Sequence, residues 1–250
     1  MKLTTALVIG ANSTIGQAFI HEILNTEQDG SIVAISRGPC PDTLQSSTGN
    51  TTSRLSWLRC DNSTDDITKI SRLLSQPGIA QAYSHIVICQ GILHDQNTWP
   101  EKRMEDITAD KLEHVFRINT VIPTLWLQQL LLLVKGKLPS KIALLSARIG
   151  SISDNDLGGW YSYRASKAAL NMIIKTASIE YARRAPNVKL LAFHPGTTDS
   201  PLSKPFQKSV PPKKLFSAQF VAKQLLQVMN SSANDGVAAY RDWDNQTISW

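Results

Sequence analysis

Thr5-Ala6-Leu7-Val8-Ile9-Gly10-Ala11-Asn12-Ser13-Thr14-Ile15-Gly16 is the stretch from which the fold of this chain is read. Its first five residues form a short apolar run of buried-strand type. After the glycine-containing turn, Ile15, Phe19, Ile20, Ile23 and Leu24 recur on one side of a helical pattern. The order is strand, tight turn, helix. Glycine permits positive φ and close backbone approach to a ligand, and the free N–H groups at a helix start favour a phosphate. An ordinary tight strand-to-helix turn carries the same pattern, so this stretch alone does not establish a phosphate site.

Further apolar runs at 31–35, 54–59, 85–89, 141–146, 188–193 and 237–241 look like strands, as does 4–9. Helical patterns near 15–25, 67–75, 108–134 and 161–184 separate them, and Ser217 is a plausible N-cap for a last helix to about Met229. Strand alternating with helix predicts an α/β fold of Rossmann type: a doubly wound, mainly parallel sheet of seven strands with helices on both faces. Ligands in such sheets sit beyond the carboxyl ends of the strands. The 250 residues show no linker, repeat, low-complexity tract or composition shift, so 1–250 reads as a single domain. Pro211-Pro212 and the cluster Ser46 to Ser53 read as loops.

Composition narrows the function. The net charge is +6, and Lys204, Lys208, Lys213, Lys214 and Lys223 crowd one segment, but no aromatic interleaving or nucleic-acid motif accompanies them. A solvated face is expected, not a nucleic-acid partner. No apolar run reaches the roughly 18–20 residues of a membrane span. Leu125 to Val134 is short and interrupted by Gln128 and Gln129, as in a buried helix. Met1-Lys2-Leu3 runs straight into the first strand, so a signal peptide and secretion are not expected. Cys40, Cys60 and Cys89 are odd in number and suit reduced thiols, so the expected location is cytoplasmic. His21, His85, His94, His114 and His194 form no metal-ligand spacing, and no metal is expected.

The second motif is Tyr163-Arg164-Ala165-Ser166-Lys167. Side chains at i and i+4 share a helix face with Cβ atoms roughly 5–6 Å apart. The Lys167 ammonium is therefore expected to lower the pKa of Tyr163 from about 10, letting the phenol exchange a proton near neutrality.

Together the two motifs resemble the short-chain dehydrogenase/reductase family over nearly the whole chain. Gly159 to Met172, with the Ser-x-Arg-x-Gly-Ser turn, looks most like its C-factor and Sniffer-type carbonyl reductase branch. The family has a Gly-x-x-x-Gly-x-Gly turn, matched here by Gly10, Thr14 and Gly16, so the middle glycine is missing. The resemblance assigns the stretch Gly10, Asn12, Ser13, Thr14, Ile15 and Gly16 to the cofactor pyrophosphate. Cys89-Gln90-Gly91 stands where the family commonly has Asn-Ala-Gly, leaving Gly91 beside the cofactor ribose. Asp61, with Asn62, resembles the family's aspartate near the adenine. Asn119 matches the family's asparagine, whose side chain or kinked backbone would hold a water relaying protons to Lys167. Pro195, Gly196, Thr198 and Ser200 resemble the segment contacting the nicotinamide carboxamide and diphosphate.

At the end of the second strand, Ser36-Arg37 replaces the acidic residue usual in NAD enzymes. An arginine pairs with a 2′-phosphate in bidentate fashion, so NADP(H) is favoured over NAD(H). The catalytic serine is less settled. The family usually has two serines after its fifth strand, and here Ala147 occupies the second position. Ser151 is preferred as a replacement. Ser146 is retained, although regular alternation would point it to the other side, and loss of the serine is the third reading.

The resemblance thus implies hydride transfer between NADP(H) and a carbonyl or alcohol, with Tyr163 as general acid and base, Lys167 on the ribose, and Ser151 or Ser146 steadying the substrate oxygen. Trp160 either walls the substrate pocket or packs, and residues 197–216 look like a substrate flap. The alternative is a dinucleotide-binding signalling or sensor protein with little turnover, supported by the departures at Thr14, Cys89-Gln90 and Ala147. The wide apolar arc of 161–184 predicts a homodimer or homotetramer.

Overall fold

The computed structural model describes residues 5–27, 29–46, 54–76 and 82–250, and in it the opening apolar run becomes β1 (Thr5–Ile9), buried at every position. The chain continues through α1 (Thr14–Thr26), β2 (Ser31–Ser36), α2 (Asp42–Ser46), β3 (Leu55–Arg59), α3 (Thr64–Leu74) and β4 (His85–Ile88). It then forms α4 (Ala109–Phe116), α5 (Ile122–Val134), β5 (Ser140–Leu145), α6 (Tyr161–Arg184) and β6 (Val188–His194). Two short strands, β7 (Thr197–Thr198) and β8 (Leu215–Phe216), precede α7 (Ala218–Ser231) and β9 (Ala239–Asp242). Ser46 ends α2 instead of opening a loop, and residues 1–4 and 47–53 lie outside the described residues.

The main sheet has the order β3-β2-β1-β4-β5-β6-β9, with every pair parallel. This is the expected doubly wound arrangement. Strand alternation divides the core. Leu7, Ile9, Ile86, Ile88, Ile142 and Leu144 pack with Ile67 and Ile70 of α3, Trp126 and Leu130 of α5, and Leu170 and Ile174 of α6. Ala6, Val8, Val87, Ala143 and Phe193 pack on the other face with Phe19, Ile20 and Ile23 of α1 and Val221, Leu225 and Met229 of α7. Each fully buried Leu, Ile or Phe stabilises the fold by about 1.5–3 kcal/mol, so register is strongly determined. A one-residue slip would exchange the two faces.

That register levels the strand ends that carry the site. Ile9 pairs with both Ile35 and Ile88, Ile88 with Leu144, and Leu145 with Phe193. Gly10, Cys89, Ser146 and His194 therefore emerge along one edge, around the switch point between β1 and β4.

The helix expected over 108–134 is interrupted. Between α4 and α5, residues Arg117–Val121 form a π-helical turn. Pro123 has no N–H to give the carbonyl of Asn119, four residues back, so regular α-helical pairing fails there. The N-cap at Ser217 forms as expected, its hydroxyl accepting from Phe220 N at 3.2 Å. Among the described residues no helix is long and apolar enough to cross a membrane, and no His, Cys, Asp or Glu group is arranged to hold a metal.

Candidate active site

Gly10 ends β1 with φ +81°, and a Cβ there would lie 3.2 Å from the backbone of Cys89 and Gln90. Glycine lets the turn pass this close to the end of β4. Ser13 caps α1, its hydroxyl accepting from Gly16 N at 3.0 Å. A Cβ at Gly16 would meet that hydroxyl at 2.8 Å. Thr14 is the first residue of α1 and has no positive φ, so replacing the family's middle glycine leaves no conformational defect. Asn12, Ser13, Thr14 and Ile15 face the large cavity at the strand ends.

Ser36 is buried and Arg37 exposed at the end of β2. Pairing places Arg59 of β3 opposite Ser36, and its Nε donates to the Arg37 carbonyl at 3.3 Å. The Arg59 guanidinium thus reaches the backbone at the end of β2. Arg59 escaped the reading of the sequence because only strand pairing brings it to Arg37. Asp61 turns to its own loop. Its carboxylate accepts from Ser63 N at 2.7 Å, and bonds from Ser63 hold it below the usual carboxylate range. It does not line the cavity. Asn62 takes positive φ, and its Oδ1 accepts from Gln90 Nε2 at 2.8 Å and Trp126 Nε1 at 3.3 Å. The family's missing asparagine is thus answered by Gln90, which ties the end of β4 to the loop after β3.

Tyr163, Lys167, Ser146, Ala147, Gly91 and Thr198 share the wall of a cavity of about 980 Å³. Lys167 Nζ donates to the Leu145 carbonyl at 2.8 Å and lies 5.9 Å from the Tyr163 ring centroid. The two side chains are neighbours, as their spacing requires. The electrostatic expectation is corrected, however. Burial raises the Tyr163 phenol well above its ordinary 10, with Tyr240 adding to the rise. Burial also pushes Lys167 from 10.5 down to about 8. Desolvation sets the direction of both shifts.

Asn119 is fully buried, and both ends of its side-chain amide are engaged by protein partners. Its Oδ1 accepts from Ile92 N at 2.7 Å, and its Nδ2 donates to the Ile92 carbonyl at 2.9 Å and Ser166 Oγ at 3.0 Å. It locks the loop after Gly91 to α6. Both serine candidates are also committed elsewhere. Ser146 continues the alternation of β5 toward α6, where its hydroxyl donates to Asn171 Oδ1 at 2.6 Å. Ser151 is buried outside the cavity wall and shares a 3.3 Å hydrogen bond with Ser153 Oγ. The preference for Ser151 therefore loses its geometric basis. The short helical turn at Arg148–Gly150 carries the chain behind the wall before Ser151 is reached.

The far wall is made by His194, Pro195, Gly196, Thr198 and Ser200. Gly196 has φ +69°, and a Cβ there would meet the Phe216 ring at 2.6 Å. Ser200 Oγ donates to the Thr198 carbonyl at 3.2 Å. Burial presses His194 down to about 4. Three buried polar atoms on this cavity lack protein partners: Thr198 Oγ1, Gln90 Oε1 and His194 Nδ1. Unsatisfied buried groups carry a cost that a polar ligand can remove. The glycine turn, the helix N-terminus and these atoms fit a dinucleotide along the crevice.

Aromatic rings frame the cavity mouth. Trp160 lies 4.9 Å from Phe206 and 6.4 Å from Tyr163, and Phe206 lies 5.3 Å from Trp99. Trp160 thus both packs and lines the cavity. His94 Nε2 donates to the Leu202 carbonyl at 3.1 Å, joining the 94–99 loop to the segment between β7 and β8.

Fold and site together define a doubly wound α/β protein with a Rossmann-type crevice and a Tyr-x-x-x-Lys pair at its edge. The chain belongs to the short-chain dehydrogenase family, which matches residues 4–211. It is 35% identical over 98 residues to 1-hydroxy-2-glutathionyl-2-methyl-3-butene dehydrogenase of Rhodococcus sp. (strain AD45), covering 39% of this chain and 41% of that protein. It is 29% identical over 100 residues to C-signal of Myxococcus xanthus, covering 40% and 59%. The chain thus matches between 41% and 59% of the length of these two curated relatives. Over 100% of both chains it superposes on NADPH-bound carbonyl reductase from chicken fatty liver, with a TM-score of 0.85 at 22% identity. The carbonyl reductase Sniffer of D. melanogaster gives 0.84 at 19%, also over 100% of both chains. At these identities the structural likeness is one of fold. C-signal agrees with the branch that the residues around Tyr163 resemble.

Proposed function

We propose that this chain is an NADP(H)-dependent oxidoreductase of carbonyl reductase type, with Tyr163 as its general acid and base. The observation that carries the reading is the shared cavity, whose wall Tyr163 and Lys167 share with Thr198 and Gln90, residues whose buried Oγ1 and Oε1 lack protein partners. The backbone from Gly10 to Gly16 and the start of α1 would hold the pyrophosphate. Asp61 and Asn62 would lie on the adenine side, Gly91 and Lys167 at the ribose, and Pro195, Gly196, Thr198 and Ser200 at the nicotinamide. Arg37 and Ser36, joined by Arg59, would meet a 2′-phosphate. Bound there, the dinucleotide supplies or accepts the hydride at a carbonyl carbon.

The remaining chemistry belongs to the chain. In the reductive direction Tyr163 gives its proton to the developing alkoxide. The raised proton affinity of its phenol keeps that proton in place at neutral pH until the alkoxide develops. Lys167, anchored on the Leu145 carbonyl, is positioned to stabilise the tyrosinate left behind. With Ser146 bonded to Asn171 and Ser151 behind the wall, Tyr163 is read as the direct donor to the substrate oxygen. Residues 197–216 would act as the flap over the substrate. Met172 and Ile179, 62% and 59% exposed on α6, with Leu132, 70% exposed on α5, would be covered in a homodimer or homotetramer.

NADPH and NADH oxidation is followed against small aldehydes, ketones and quinones, with Tyr163→Phe alongside. NADPH-dependent turnover that disappears in the variant, with cofactor affinity intact, is the expected result. A chain that binds the dinucleotide but turns over none of these would favour the sensor reading, for which Ala147 at the serine position is the structural support.

A further inference from the structure

We infer that Glu101 is a positioning residue for Tyr163, clasping the first turn of α6 to the loop that walls the cavity mouth. The inference rests on the proposed role of Tyr163. Glu101 is only 2% exposed, yet no cation is among its hydrogen-bonding partners. Its Oε2 accepts from Ser162 N at 3.1 Å, and its Oε1 accepts from Ser162 Oγ. Its backbone carbonyl accepts from Trp160 N at 2.5 Å. Three donors from the start of one helix thus converge on a residue sixty-one positions before Ser162.

The helix needs this partner. Trp160 stands at the N-cap position of α6 with φ +54° and no side-chain capping bond. Gly158 and Gly159 before it have φ +63° and +65°. Three consecutive residues are therefore left-handed, a conformation that a bulky tryptophan holds only when its surroundings over-determine it. Orphan N–H groups at a helix start also demand acceptors, and a carboxylate there is favoured by the helix dipole. Glu101 meets both requirements from a distant loop. Arg164 secures the other side, its Nε donating to the carbonyls of Gly158 at 3.2 Å and Gly159 at 2.9 Å.

The consequence reaches the reacting group. Tyr163 comes directly after Ser162, so the angle at which the chain enters α6 sets where the phenol stands. Trp99, two residues before Glu101, belongs to the aromatic mouth through its contact with Phe206. Glu101 thereby ties the mouth of the cavity to the proton donor. Small errors of position in such a donor are costly to rate but not to dinucleotide affinity.

The test compares Glu101→Ala, Glu101→Gln and the unaltered full chain by amide hydrogen exchange over 158–166, NADPH affinity and steady-state turnover. Glu101→Ala should raise exchange of the Trp160 and Ser162 amides at least tenfold and lower kcat about tenfold, with NADPH affinity unchanged. Glu101→Gln should recover both properties, because its carbonyl still accepts from Ser162 N and its amide can donate to Ser162 Oγ. If Glu101→Ala fails to fold by circular dichroism, Ser162→Ala, which removes one bond of the clasp, should show the same local exchange and a smaller fall in kcat. Unchanged exchange, a kcat within twofold of the parent despite raised exchange, or a Glu101→Gln variant as impaired as Glu101→Ala would each overturn the inference. An unaltered chain that turns nothing over would defeat the functional reading, while the exchange pattern would still decide whether the clasp exists.

Discussion

Replacing Lys167 with methionine should make the protein more stable at neutral pH, and by an amount that depends on pH in a defined way. Lys167 is 3% exposed and burial lowers it from its ordinary 10.5 to about 8. Between these values the unfolded chain holds a proton that the folded chain has released. Stability contributed by this group therefore rises with pH from about 8 to 10.5, and the full penalty applies below that window. At about 1.4 kcal/mol per pH unit, the penalty is about 3 kcal/mol. Lys167→Met removes it and also loses the hydrogen bond to the Leu145 carbonyl, a cost of about 1 kcal/mol that barely depends on pH. The stability of the variant relative to its parent should then fall by about 3 kcal/mol between pH 7 and pH 10.5. Urea denaturation followed by tryptophan fluorescence at both pH values measures the difference, provided the two chains share one m-value. A relative stability that stays flat within about 1 kcal/mol would refute the burial argument.

The same geometry yields other expected outcomes. Ala147→Ser places a hydroxyl on the cavity wall in an extended backbone that accepts it, and should raise kcat about tenfold in single-turnover assays if a second donor to the substrate oxygen is what the chain lacks. An unchanged rate would show that Tyr163 suffices. Arg37→Glu should weaken NADPH binding by more than about tenfold while leaving NADH affinity intact or improved, measured by fluorescence titration. Equal losses for both cofactors would remove Arg37 from the 2′-phosphate. Ser217→Ala deletes the cap of α7 and should cost about 1 kcal/mol in chemical denaturation, with Ser217→Asp recovering most of it.

The alternation of strand and helix was legible in the chain because its causes are local. The apolar run Thr5–Ile9, the glycine turn and the span Tyr161–Arg184 lie close to where their patterns place them. Thr14 shows a limit of motif reading. It replaces a glycine of the family's turn, yet it sits at a helical position where no glycine is needed. The break at Arg117–Val121 was readable in part from Pro123, whose missing N–H forbids regular pairing with Asn119. The bonds from Asn119 to Ile92 and Ser166 were not readable, since they join three separate segments.

The sequence by itself determined the order of strands and helices, the division of apolar residues between the two sheet faces, and the spacing that puts Tyr163 and Lys167 on one helix side. Each depends on backbone periodicity, which acts over a few residues. Tertiary structure alone decided that Ser146 bonds to Asn171 while Ser151 lies off the cavity wall, that burial raises Tyr163 and lowers Lys167, that Arg59 reaches the Arg37 carbonyl, and that Glu101 caps a helix sixty-one positions further along. Desolvation and long-range hydrogen bonds depend on which segments the fold brings together, and no local pattern in the chain carries that information.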